Sequence, residues 1–271
     1  MRHFWKLCAL LLIGALLLAG CGSEKTAQPQ ADTKTQAQVE MSVPQDGVPV
    51  LMYHMIGVDK NDPDNEAVLS EEHFKEQMKY LKDHDYHPLT MQQFYDYLVH
   101  HKPVPVRPVL LTFDDGYPDT YSIVMPVLKE YGFDATVFVP TYDVDQGTRL
   151  NWQQVQEMKD SGLTIASHSY KHERTNEMPG STFAEAIEKS QAELKDKLGL
   201  TNEWFCYPYG GYTEDAGKVL KKAGIKLAFT MDPGWAKYGD NPYAVKRIWI
   251  GNPVDLDNFA QRLSTPHYEQ R

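Results

Sequence analysis

The stretch PVLLTFDDGYPDTY, residues 108–121, decides the fold. A β-rich run from Val109 to Thr112 drives into two adjacent carboxylates, Asp114 and Asp115, and Gly116 follows at once. Burying a strand that ends on two like charges is costly unless something offsets them. Neighbouring side chains on a strand point to opposite faces. Both carboxylates can serve one pocket only if the backbone bends after them, which Gly116 permits.

Working outward, six further runs share this character: residues 48–54, 135–140, 163–168, 203–209, 226–232 and 244–250. Several are nearly continuous in apolar residues, as expected of strands buried on both faces. Helical patterns with readable ends lie between them. Ser70 precedes two acids and an apolar stripe of Phe74, Met78 and Leu81. Thr90 with Gln93, and Asn151 with Gln154, are spaced as capping boxes. Gly162, Gly199 and Gly224 stop three of the helices. Seven strands alternating with helices predict an α/β fold with a parallel sheet, closed as a distorted seven-stranded (β/α) barrel. In such barrels the chemistry sits at the C-terminal strand ends. Those ends read His54, Asp114 with Asp115, His168, Tyr207 to Tyr209, and Asp232.

The chain has 271 residues, enough for one sizeable core, and a formal net charge of −10. That charge argues against a nucleic-acid partner. The N-terminus predicts a segment apart from the fold. Arg2 and Lys6 precede the apolar run LCALLLIGALLLAG, which ends in LAGC at residues 18–21. Small residues before a cysteine resemble the lipobox of bacterial lipoproteins. On that resemblance residues 1–20 are a signal peptide and Cys21 carries the lipid. The expected location is the cell membrane, facing the extracytoplasmic side. Residues 21–47 read as a flexible tether, rich in Gln, Ala, Thr and Ser, and the folded domain spans 48–271. With Cys8 in the removed segment and Cys21 lipidated, Cys206 has no disulfide partner. A monomer is expected.

His168 and His172, in SHSYKH, stand four apart and can reach one metal ion if the chain coils after the strand. Two adjacent carboxylates are poorly placed to flank a sugar bond from both sides, as a glycosidase requires. They suit a metal site: one binds the cation and the other takes a proton from the water that the cation activates. A calcium-like or helix-capping acidic turn remains the alternative for the pair. Tyr207 and Tyr209, beside Pro208 in FCYPYGGY, read either as sugar-stacking walls or as core aromatics of a tight turn. Backbone N–H groups of that Gly-rich turn are candidates to hold an oxyanion. His54 alone reads as a satisfied core histidine, a general acid or a further ligand.

Together TFDDGY (112–117), HSYKH (168–172) and CYPYG (206–210) resemble the three motifs of the NodB-type polysaccharide deacetylases, a carbohydrate esterase family. The resemblance spans about residues 48–250. It implies Asp114 as catalytic base, and Asp115, His168 and His172 as ligands of a divalent cation, zinc with cobalt or nickel as alternatives. It also implies the Tyr209 N–H as part of an oxyanion hole. The chain departs from the usual pattern in two places. Cys206 stands where many members have an arginine that orients the base. The C-terminus offers only His267 in place of the usual acid. These losses, with VLMYH near the start, resemble the branch of biofilm poly-N-acetylglucosamine deacetylases, in which a first-strand histidine supplies the acid. That raises His54 to the expected acid. Arg247 is a candidate replacement for the arginine, and Asp232 a candidate support for His54. The expected substrate is an N-acetylglucosamine polymer, poly-N-acetylglucosamine or cell-wall peptidoglycan. The alternatives are an O-acetyl esterase acting on glycans such as xylan and a non-catalytic glycan-binding lipoprotein.

Overall fold

The computed structural model describes residues 39–57, 65–266 and 268. Seven parallel strands form the barrel. They are β1 (Val50–Tyr53), β2 (Pro108–Phe113), β3 (Thr136–Val139), β4 (Thr164–Ser167), β5 (Trp204–Cys206), β6 (Leu227–Pro233) and β7 (Val245–Trp249). Each strand lies beside the next in sequence. The barrel closes where β1 pairs with both β7 (Leu51↔Ile248) and β2 (Tyr53↔Phe113). All seven expected strands are present, within a few residues at each end.

The barrel is uneven. β4 and β5 share a single register pair, Phe205↔Ser167, and the register shifts between Phe229 and Pro233 on β6. The two-residue strand His87–Pro88 adds to the outer edge of β2 beside Pro108. Strand alternation sorts the side chains. Leu51, Tyr53, Leu111 and Phe113 face the surrounding helices, while Val50, Leu110, Phe138, Cys206, Phe229 and Val245 join a second cluster.

Among the described residues, seven α-helices surround the sheet: α1 (Glu71–Asp83), α2 (Met91–His100), α3 (Met125–Tyr131), α4 (Trp152–Asp160), α5 (Gly180–Leu198), α6 (Ala216–Lys222) and α7 (Leu256–Ser264). Both expected capping boxes form, at Thr90 and Asn151. Helix α2 inserts Phe94, Tyr97 and Leu98 into the second cluster. Sequence reading gave no helix for α3 or α7, which are only 7 and 9 residues long. No helix among the described residues is long and apolar enough to cross a membrane.

One boundary moves. Met41–Ser42 pair antiparallel with Val104–Pro105, so the ordered domain takes in residues that composition alone assigned to the tether. A short polar segment gains order here from ladder hydrogen bonds that its composition does not reveal. Cys21, the expected signal segment and His267 lie outside the described residues.

Candidate functional site

The rim at the C-terminal strand ends gathers the site. β2 stops at Phe113, and the chain turns at Asp115, which adopts the left-handed region at φ 71. Gly116 follows at φ 63, where an added Cβ would lie 3.2 Å from Val139 Cγ1. The bend therefore begins on the second carboxylate, one residue earlier than the glycine suggests. Aspartate tolerates this conformation better than most residues. Both carboxylates come to be buried, Asp114 at 2% and Asp115 at 8% exposure.

Their surroundings differ. Asp114 lies over a guanidinium: Arg247 donates Nη1–H to Oδ1 at 2.8 Å and Nη2–H to Oδ2 at 2.7 Å. Arg247 is 1% exposed, and its remaining donors go to Thr230 O (2.8 Å), Thr112 Oγ1 (3.1 Å) and Cys206 Sγ (3.1 Å). All five guanidinium N–H groups are thereby used. Burial pushes the Asp114 carboxyl up, but the charge and hydrogen bonds of Arg247 prevail and hold it below its ordinary value. Cys206 is small enough to leave room for this arginine, which enters from β7, and its thiol supplies one more acceptor. The candidate replacement for the missing arginine thus reaches the proposed base.

Asp115 instead faces imidazoles. His168 Nε2 lies 3.2 Å and His172 Nε2 2.9 Å from Asp115 Oδ1. Yet Oδ1 is buried and accepts no hydrogen bond. The reason is visible at His168, whose Nδ1 meets Cys206 O at 2.8 Å. A carbonyl can only accept, so Nδ1 carries a proton, and in the neutral ring Nε2 turns a lone pair toward the carboxylate. Ser169 (φ 67) and His172 (φ 56) coil the chain after β4, which returns His172 to the site. One ligand atom from each of Asp115, His168 and His172 lies within 4.8 Å of the others. Two ring nitrogens converging on a buried, unsatisfied carboxylate oxygen suit a cation, and His168 presents Nε2 to it.

His54 follows β1, with Nε2 3.9 Å from Asp114 Oδ2 and a buried Nδ1 that makes no hydrogen bond. Burial lowers its pKa, and Arg247 and His168 add to that, against the pull of Asp114 and Asp115. Tyr209 occupies a left-handed turn (φ 58), is 51% exposed, and sets its ring 4.7 Å from that of His172. Gly210 (φ 68) is required beside it, since a Cβ there would meet Met231 N at 2.6 Å.

Two expected roles are corrected. Tyr207 is 1% exposed, bonds Tyr243 O through its hydroxyl, and packs against Phe183 and Phe205. It is a core aromatic, and Pro208 beside it is buried too, because the chain has not yet turned outward. Asp232 lies on the exposed end of β6 and accepts from Tyr212 Oη at 3.1 Å. It does not support His54, whose carboxylate neighbour is Asp114.

Sequence reading also missed a set of cations on the rim. Arg149 lies over the Tyr117 ring at 4.1 Å, Lys171 over Tyr142 at 4.4 Å and Arg174 over Tyr209 at 4.2 Å. Lys171 and Arg174 flank His172 in the chain, and that adjacency was their only sequence signal.

Residues 101–228 match the family model described as "Polysaccharide deacetylase". The YxkH protein of Bacillus subtilis, named as a polysaccharide deacetylase, is 30% identical, with 96% of this chain and 98% of that protein covered. The poly-beta-1,6-N-acetyl-D-glucosamine N-deacetylase of Staphylococcus aureus is 29% identical over 68% of each chain. Among solved structures, the Streptococcus pyogenes deacetylase PplD in complex with acetate superposes with a TM-score of 0.75. It is 26% identical and covers 80% of this chain and 98% of its own.

Proposed function

The chain belongs to the polysaccharide deacetylase family, and on that premise we propose that it removes N-acetyl groups from an N-acetylglucosamine polymer, poly-β-1,6-N-acetylglucosamine or peptidoglycan. The observation that carries this reading is the division of two neighbouring carboxylates: Asp115 meets two histidines and Asp114 meets an arginine. A divalent cation held by Asp115, His168 and His172 would supply Lewis acidity, lowering the pKa of a water and polarising the acetamide carbonyl.

The protein groups divide the proton work. Asp114, kept ionised by Arg247, takes a proton from the attacking water. Arg247 fixes both oxygens of that carboxylate and so sets the direction from which it accepts. The Tyr209 N–H donates to the oxygen on which negative charge develops. His54, whose Nε2 lies 3.9 Å from Asp114 Oδ2, gives a proton to the departing nitrogen. Its lowered pKa makes the proton easier to release. Water and the acetamide yield acetate and a free amine.

Support for the substrate comes from the Staphylococcus aureus relative's name. Support for a place outside the membrane comes from the LAGC stretch, with Cys21 as the lipid-bearing residue. Acetate release from β-1,6-linked oligomers, chitooligosaccharides and peptidoglycan tests the activity. Wild-type protein should release acetate from at least one of them, and Asp114→Asn and His168→Ala should each abolish it. Activity surviving in both variants would contradict the reading.

A further inference from the structure

The site rim carries a feature that the deacetylation chemistry does not use. The chain is acidic overall, with a formal net charge of −10. Three tyrosine rings near the site, the exposed Tyr142 and Tyr209 and the half-buried Tyr117, are nonetheless each faced by a cation. Arg149, Lys171 and Arg174 each lie 4.1 to 4.4 Å from a ring centroid. A neutral sugar polymer is gripped by open aromatic faces, and these faces are taken.

The three cations are also short of partners. Lys171 has no carboxylate within ion-pair distance among the described residues, and Glu173 beside it accepts from the Lys171 backbone N–H instead. Arg174 has only Glu177 at 3.8 Å, on an exposed pair worth little in water. Arg149 Nε is buried and makes no hydrogen bond. All three stand next to the proposed cation ligands. Lys171 precedes His172, Arg174 lies on the ring that touches His172, and Leu150 N, after Arg149, donates to Gly116 O at 2.9 Å.

We propose that Arg149, Lys171 and Arg174 select a glycan that carries a carboxylate on the sugar beside the acetamido sugar to be deacetylated. This deepens the deacetylase reading and rests on it. The aromatic ring behind each cation holds it in place, so little ordering is needed when the anion arrives. Asp232, on the β6 side of the rim, leaves the charge one-sided, which orients the polymer across the site.

The test uses the purified wild-type protein and the Lys171→Gln/Arg174→Gln double variant, with equilibrium binding and acetate release measured on the same ligands. The probes are a tetrasaccharide of alternating N-acetylglucosamine and N-acetylmuramic acid with free lactyl carboxylates, and the same tetrasaccharide with those groups converted to carboxamides. The wild type should bind the carboxylate form about fivefold or more tighter, as expected of a few partly exposed ion pairs, with the gap shrinking as salt rises. The double variant should bind both forms alike, at the affinity the wild type shows for the carboxamide form. Equal or weaker wild-type binding of the carboxylate form, or a preference that the double variant keeps, would overturn the proposal. A binding preference without acetate release from any glycan would count against the deacetylase reading and leave the selectivity standing.

Discussion

Asp114 and Asp115 are chain neighbours, equally acidic by nature and both buried, yet they occupy opposite kinds of environment. Both oxygens of Asp114 accept from Arg247, whose five donors are all used. Asp115 Oδ1 meets two imidazole nitrogens and accepts no hydrogen bond. Native interiors seldom leave a charged oxygen this way. The contrast separates a closed network, which positions a group, from an open convergence, which awaits a ligand. It also assigns different consequences to the loss of each residue.

The largest expected effect comes from breaking the closed network. Arg247→Met leaves Asp114 buried without its counter-ion and should cost about 3–5 kcal/mol in urea unfolding. Arg247→Lys keeps the charge but loses the two-pronged contact, so it should fold and lose roughly 10- to 100-fold in acetate release. A loss in stability with no loss in rate would reduce Arg247 to a structural role.

A third carboxylate sharpens the comparison by titrating differently from both. Asp119 accepts from Ile56 N at 2.7 Å through Oδ2, while its buried Oδ1 is unpaired. Burial raises its pKa to about 6. The folded state therefore holds a proton that the unfolded state, with an ordinary aspartate pKa near ~4, has already lost. That stabilisation is complete below pH ~4 and disappears as pH rises through about 6. Relative to Asp119→Asn, the wild type should lose on the order of 2–3 kcal/mol between those limits. Unfolding curves that stay parallel across this range would contradict the assignment.

The smallest stability effect is expected where the ligand set is open. Without a metal, Asp115→Asn removes a charge whose Oδ1 no hydrogen bond satisfies, and should change stability by less than about 1 kcal/mol.

Much of this was legible in the sequence, for identifiable reasons. Strands buried on both faces write themselves as apolar runs, so all seven appeared. The adjacent aspartates and the four-residue His168–His172 spacing are local patterns, and the structure brings those residues together. Arg247 was only weakly indicated because it meets Asp114 across the closed barrel, 133 positions away, where spacing carries no information. Tyr207 and Tyr209 look alike in sequence. One residue still follows the strand into the core and the other stands on a positive-φ turn, a distinction made by backbone direction. The cations over the tyrosines escaped notice because their partners come from different loops.

The central claim is that the two aspartates have separate tasks, and metal binding by chelated, purified protein tests it most directly. Titration with Zn²⁺ or Co²⁺, with acetate release followed in parallel, should give one ion per chain for the wild type and for Asp114→Asn, and none for Asp115→Asn. Only the wild type should release acetate. An Asp115→Asn variant that binds the ion as the wild type does, or a folded Asp114→Asn variant that has lost it, would contradict the account.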